Sequence, residues 1–168
     1  MRMLVSGLLA AGLLISDVTG NIALAQCVRS SDYPAFDITA LKTKLMVTAL
    51  TCGADEKYNA FVMKYRPELA SQDKALGSYF ARANGRRARQ QHDDYVTQLA
   101  NSQSSTGLRQ GSLYCGYNLS TFDEVMALRS GAELTDFAAG KSIAQPIPMG
   151  ECGAAPAPTS QPRARRRS

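Results

Sequence analysis

Apolar residues recur at helical spacing through most of this chain, and the breaks between those runs delimit its elements. Residues 38–50 carry Leu41, Leu45 and Ala49 in register and lead to Cys52-Gly53, a glycine suited to closing a helix. Residues 54–65 place Tyr58, Phe61, Val62 and Tyr65 at i, i+3, i+4 and i+7, the stripe of an amphipathic helix. Pro67 suits the first turn of a third helix running to residue 83, with Leu69, Leu76, Tyr79, Phe80 and Ala83 inward. Asn84-Gly85 breaks it. A fourth helix is expected over 86–102, ended by the polar run "NSQSSTG".

Residues 108–114 give no decided pattern. A fifth helix starts at Thr121, where T-F-D-E offers a capping box with Glu124, and carries Phe122, Val125, Met126 and Leu128. A short last helix, 131–139, begins with Ser130 and Glu133 in the same relation. Residues 145–149, Gln-Pro-Ile-Pro-Met, read as extended. Alternating strand patterns are missing. The fold class is therefore all-α: a compact bundle of five or six short helices, mostly antiparallel because the loops are short.

The first residues change the picture. Met1-Arg2, an apolar run over 3–15 and Ala23-Leu24-Ala25 describe a secretory signal peptide cleaved near Ala25. The apolar run falls short of the roughly 20 residues that span a bilayer, so no transmembrane span is expected in the mature chain. The organisation is then a signal peptide over 1–25, a helical domain over 26–152 and a tail over 153–168. Leu24-Ala25-Gln26-Cys27 also resembles a lipobox, which would anchor a lipoprotein through Cys27. Gln26 stands where that motif wants a small residue, and acylation would leave three thiols.

Export, periplasmic or secreted, puts Cys27, Cys52, Cys115 and Cys152 in an oxidising compartment, where an even count suggests disulfides. Four cysteines allow three pairings, and sequence does not select one. The expected arrangement is Cys52 with Cys115, joining two helix ends, and Cys27 with Cys152, joining the irregular ends of the domain. There is no C-x-x-C, and a single histidine makes a poor zinc site, so neither metal nor other cofactor is expected.

The formal charge is +5, unevenly spread. Arg2 and Asp17 cancel, and Arg163, Arg165, Arg166 and Arg167 sit in the tail, leaving fourteen basic and thirteen acidic residues over 26–162. The tail is rich in Ala and Pro and has almost no large apolar residue to offset the entropy of ordering, so it reads as disordered. Its arginines suit an envelope protein, an anionic polymer or lipid, or simple solvation. No aromatics are interleaved with them to stack bases, and nucleic acid is not an expected partner.

His92 is the one histidine, followed by Asp93 and Asp94. It lies in register with Tyr95, Val96 and Leu99, on the inward stripe or its edge, while the two aspartates point elsewhere round the helix. No Gly-x-Ser-x-Gly elbow occurs. His92 therefore reads as a partly buried structural histidine, bonded to backbone or a nearby tyrosine. The competing reading is a small hydrolase or lyase assembled around His92, with a carboxylate or hydroxyl within about 3 Å of the imidazole.

Other polar features have plain readings. Asp55-Glu56, Asp93-Asp94 and Asp123-Glu124 lie near helix beginnings, where acids complement the dipole. Arg82, Arg86, Arg87 and Arg89 cluster round the Asn84-Gly85 turn, as an anion site or a solvated corner. Tyr58, Phe61, Tyr65, Tyr79 and Phe80 fit core packing better than a ligand pocket. Asn118-Leu119-Ser120 matches a glycosylation sequon.

The stretches "LKTKLMVTALTCGADEKYNAFVMKYRPELASQDKALGSYFARA", "HDDYVTQLANSQ" and "LYCGYNLSTFDEVMALRSGAEL" resemble small exported proteins of Gram-negative bacteria. That group shares a helical body with spaced cysteines and has no assigned function; some members carry the name S-adenosyl-L-homocysteine hydrolase. The resemblance covers roughly residues 26–139 and implies the same all-α body. The hydrolase name conflicts with the residues, because that enzyme needs a Gly-x-Gly-x-x-Gly loop between strand and helix and this chain has neither. No catalytic residue is carried over. The expected role is a binding or accessory module of the cell envelope.

Overall fold

A computed structural model describes residues 27–152; the expected signal peptide and the arginine tail lie outside the described residues. Seven α-helices follow one another: α1 (Tyr33–Cys52), α2 (Asp55–Lys64), α3 (Arg66–Asn84), α4 (Ala88–Gln110), α5 (Leu113–Asn118), α6 (Ser120–Ala127) and α7 (Gly131–Gly140). Short 3-10 turns precede α1 at Ser30–Asp32 and α4 at Gly85–Arg87. The described residues contain no strand, only an isolated parallel bridge between Val28 and Glu151. None of the described helices is long and apolar enough to cross a membrane.

The all-α expectation holds, but two helices are longer than the patterns suggested. The run "NSQSSTG" does not end α4, which extends over 23 residues. It contains no proline, and its hydroxyls bond within the helix: Thr106 Oγ1 donates to the Ser102 carbonyl at 3.1 Å and accepts from Arg109 Nη2 at 2.9 Å. Gly111, at φ 55°, makes the turn instead. The undecided stretch 108–114 thus divides between the end of α4, that turn and the start of α5.

The capping box expected at Thr121 does not form. The helix α6 begins at Ser120 directly behind α5, and Leu119 already holds helical angles, so Thr121 sits inside a helix with no free N–H to cap. Ser130 does cap α7, its Oγ accepting from Glu133 N at 3.2 Å. The Glu133 carboxylate accepts from Arg129 N at 2.9 Å, one residue earlier than a capping box would have it.

The axis of the molecule is α1. On one side Ile38, Leu41, Leu45 and Ala49 meet Phe61, Tyr65, Leu69, Phe122, Val125, Leu134 and Ala138. On the other, Ala35, Phe36 and Ala40 meet Leu76, Tyr79, Phe80, Tyr95, Leu99 and Val28. A helix apolar on opposed faces belongs at the centre of a domain. Both disulfides close as expected, Cys27 with Cys152 and Cys52 with Cys115, and no cysteine is free. The first is flanked by hydrogen bonds from Val28 N to Gly150 O (2.8 Å) and from Cys152 N to Val28 O (3.0 Å).

Two glycines give opposite expectations. Gly53 ends α1 at φ 65°, ψ 39°, and its N–H donates to Ala49 O. A methyl there would meet no atom within 4 Å, so Gly53→Ala pays only for the left-handed backbone, about 1 kcal/mol. Gly77 lies inside α3 and is equally unobstructed. Gly77→Ala should therefore raise stability by up to about 1 kcal/mol. Urea unfolding of the two variants checks both signs.

Candidate functional site

A cavity of about 340 Å³ opens between α1, α3 and α4, with Tyr58 of α2 also on its lining. The central helix supplies Thr39, Lys42, Thr43 and Met46, at i, i+3, i+4 and i+7, together with Ile38. This is a third, more polar stripe on a helix whose other faces are buried in two cores. The α3 helix contributes Leu69 and Asp73; α4 contributes His92, Asp93, Val96 and Thr97. Ile38, Thr43 and Leu69 are buried. Asp73 and Asp93 are exposed, with side chains 65% and 69% accessible.

His92 sits at the acidic end with 23% of its side chain accessible. Its ring packs edge-on against Phe80, centroids 5.6 Å apart. Neither backbone nor tyrosine bonds it, contrary to expectation. The nearby Tyr95 hydroxyl is spent on Gln145 Oε1 at 2.7 Å. His92 Nε2 is buried without a hydrogen-bond partner, and the nearest carboxylate oxygen, Asp73 Oδ1, is 3.9 Å away. Nδ1 faces Asp93 Oδ1 at 3.5 Å. The expectation that Asp93 points away from the imidazole is thus corrected. Adjacent residues diverge at the backbone, but at the open edge of a helix a carboxylate can swing back toward the ring nitrogen nearest Cβ. Asp73 reaches the histidine from another helix.

Hydroxyls on this lining are unclaimed. Elsewhere Thr48, Thr106 and Thr135 bond back to the carbonyl four residues before them. Among the described residues, Thr39, Thr43 and Thr97 make no such bond, and Tyr58 keeps only its ring contact with Phe61. Thr43 is 4% exposed and lines the cavity, while the lining's fully buried polar atom without a partner, among the described residues, is His92 Nε2. Burial pushes the Tyr58 phenol up from its usual pKa, which keeps it a neutral donor.

Other expected site residues are dispersed. Arg82 turns inward, its Nη2 2.5 Å from the buried Asp32, and stacks over Tyr79. Arg86, Arg87 and Arg89 are exposed on and beside the 3-10 turn. Asp123 pairs with Lys57 and Glu124 with Lys141, both at 2.6 Å, and exposed pairs of this kind contribute under about 1 kcal/mol. Asn118 of the sequon is buried and donates to Tyr114 O. Phe61, Tyr65, Tyr79 and Phe80 are core residues, and of the five aromatics only Tyr58 lines this cavity. The described residues hold no cluster of three or more histidines, cysteines or acids able to bind a metal.

Comparison of the chain with protein-family models, curated proteins and solved structures finds no match.

Proposed function

We propose that the protein is exported and acts in the cell envelope as a binding or accessory module, holding a small ligand in the cavity around His92. The observation that carries this reading is the unclaimed polar lining. A buried polar atom with no partner, as His92 Nε2 is, costs free energy that a bound ligand returns. Two closed disulfides support an oxidising location, and the signal-peptide pattern over 1–25 belongs to the same proposal, as does kinship with the small exported helical proteins. Anchorage as a lipoprotein would need the Cys27 sulfur, which the bond to Cys152 occupies.

The hydrolase or lyase reading has one observation in its favour, an imidazole flanked by two carboxylates. The separations of 3.5 and 3.9 Å exceed hydrogen-bond length, no hydroxyl bonds the imidazole, and no cysteine among the described residues is free. Binding is therefore the better-supported role.

Native mass spectrometry of the oxidised protein with the small-molecule fraction of the producing cell tests it. A retained mass is expected, and it should disappear in Thr97→Trp, which blocks the rim from an exposed position. Failure of the native protein to retain any small molecule would reject the reading. Export is checked separately: the envelope fraction should contain a chain starting near Gln26.

A further inference from the structure

The charges round this cavity select a class of ligand. Asp73 and Asp93 stand at the His92 end, and Lys42 projects from α1 onto the same lining. Elsewhere lysines on the surface pair with acids, as Lys57 does with Asp123 and Lys141 with Glu124. Lys42 takes part in none of the ion pairs among the described residues. One small cavity thus presents an ammonium outside every ion pair among the described residues and two carboxylates whose ion-pair neighbour is His92, not Lys42.

We infer that the cavity is built for a small zwitterion of the amino-acid type, its ammonium on Asp73 and Asp93, its carboxylate on Lys42, and its apolar body on Ile38, Leu69 and Val96. The inference rests on the reading of this cavity as a binding site. An amine without an acid would meet the Lys42 charge, and an acid without an amine would meet two aspartates. A zwitterion meets no like charge, so the same groups that attract it exclude the half-charged analogues. Volume agrees: about 340 Å³ lies at the small end of ligand pockets, too small for a nucleotide or an oligosaccharide. Thr39, Thr43, Thr97 and the Tyr58 phenol supply neutral partners for the remaining ligand oxygens and N–H groups.

The test uses three matched sets: L-leucine, L-methionine and L-phenylalanine, each with its decarboxylated amine and its deaminated acid. Calorimetric titration of the oxidised protein should show at least one amino acid binding about tenfold or more tighter than both of its analogues, as expected for one added charge-assisted contact. Lys42→Met should erase that advantage over the amine and improve binding of the amine itself. The double variant Asp73→Asn/Asp93→Asn should do the converse for the acid. Lys42→Gln serves if the methionine variant loses its helical circular dichroism. An amine or acid that matches its amino acid in the native protein overturns the zwitterion inference while leaving the cavity a binding site. No binding by any of the nine compounds overturns the inference too, and the mass-spectrometric retention that Thr97→Trp abolishes then decides the broader reading by itself.

Discussion

Replacing Cys27 and Cys152 together by alanine is expected to lower the unfolding free energy by about 5 kcal/mol. The bond joins residues 125 positions apart, nearly the whole described domain. Treated as loop-closure entropy, freeing so long a loop gives the unfolded chain that much additional freedom. A domain of this size has only about 5–15 kcal/mol in total. The native side offers partial compensation: Val28 is fully buried, two backbone hydrogen bonds flank the bridge, and Ile143, Ile147 and Met149 pack against the second core. Those contacts hold the extended segment locally but do not shorten the unfolded chain. The slope of the urea transition should therefore rise as its midpoint falls, because the released chain exposes more surface. A loss below about 1 kcal/mol with an unchanged slope would show that the ends stay together in the unfolded chain without the bond. The companion pair, Cys52 and Cys115, spans 63 positions and should cost somewhat less, about 4 kcal/mol.

How much of this was legible depends on range. The stripes of Tyr58, Phe61 and Tyr65, and of Leu69, Leu76 and Phe80, placed α2 and α3 because every residue needed lies within one helix. Their boundaries in the structure differ by a residue or two. The second half of α4 was not legible, since a polar run reads alike whether it is a loop or a solvated helix. The helix α5 was missed because six residues are too few to show a period. The cysteine pairing is not selected by the sequence, which allows three; the expected one, Cys52 with Cys115 and Cys27 with Cys152, is the one the structure closes. The cavity was the least visible feature. Lys42, Asp73 and His92 come from three helices, and no local window contains two of them. The one available signal is Thr39, Lys42, Thr43 and Met46 at helical spacing on a helix with apolar stripes beside them. Reading His92 by its register was right about its edge position and wrong about its partners, because Asp73 is brought to it only by packing α3 on α4.

That packing is the subject of the second large effect. Phe36→Ala should destabilise by about 3–5 kcal/mol, toward the upper end of that range. Phe36 is fully buried and stands at the centre of a ring cluster: Tyr79 at 4.9 Å, Tyr95 at 5.4 Å and Phe80 at 6.4 Å between centroids, all edge-to-face. The cost of such a truncation depends on how far the neighbours can collapse into the space. Here they are held from outside. Tyr95 is fixed by its bond to Gln145, and Tyr79 lies under Arg82, itself tied to Asp32. Phe36→Leu keeps most of the volume and should cost no more than about 2 kcal/mol, which separates cavity formation from any loss of α1 itself. The effect should also reach the cavity around His92, because Phe80 touches Phe36 on one side and His92 on the other. In the alanine variant the His92 ring loses its fixed neighbour, and its NMR signals should shift and broaden at temperatures where the fold is intact. Unchanged His92 signals beside a full loss of stability would mean that the imidazole is positioned by Asp73 and Asp93 alone, and that the aromatic cluster is a core with no part in shaping the cavity.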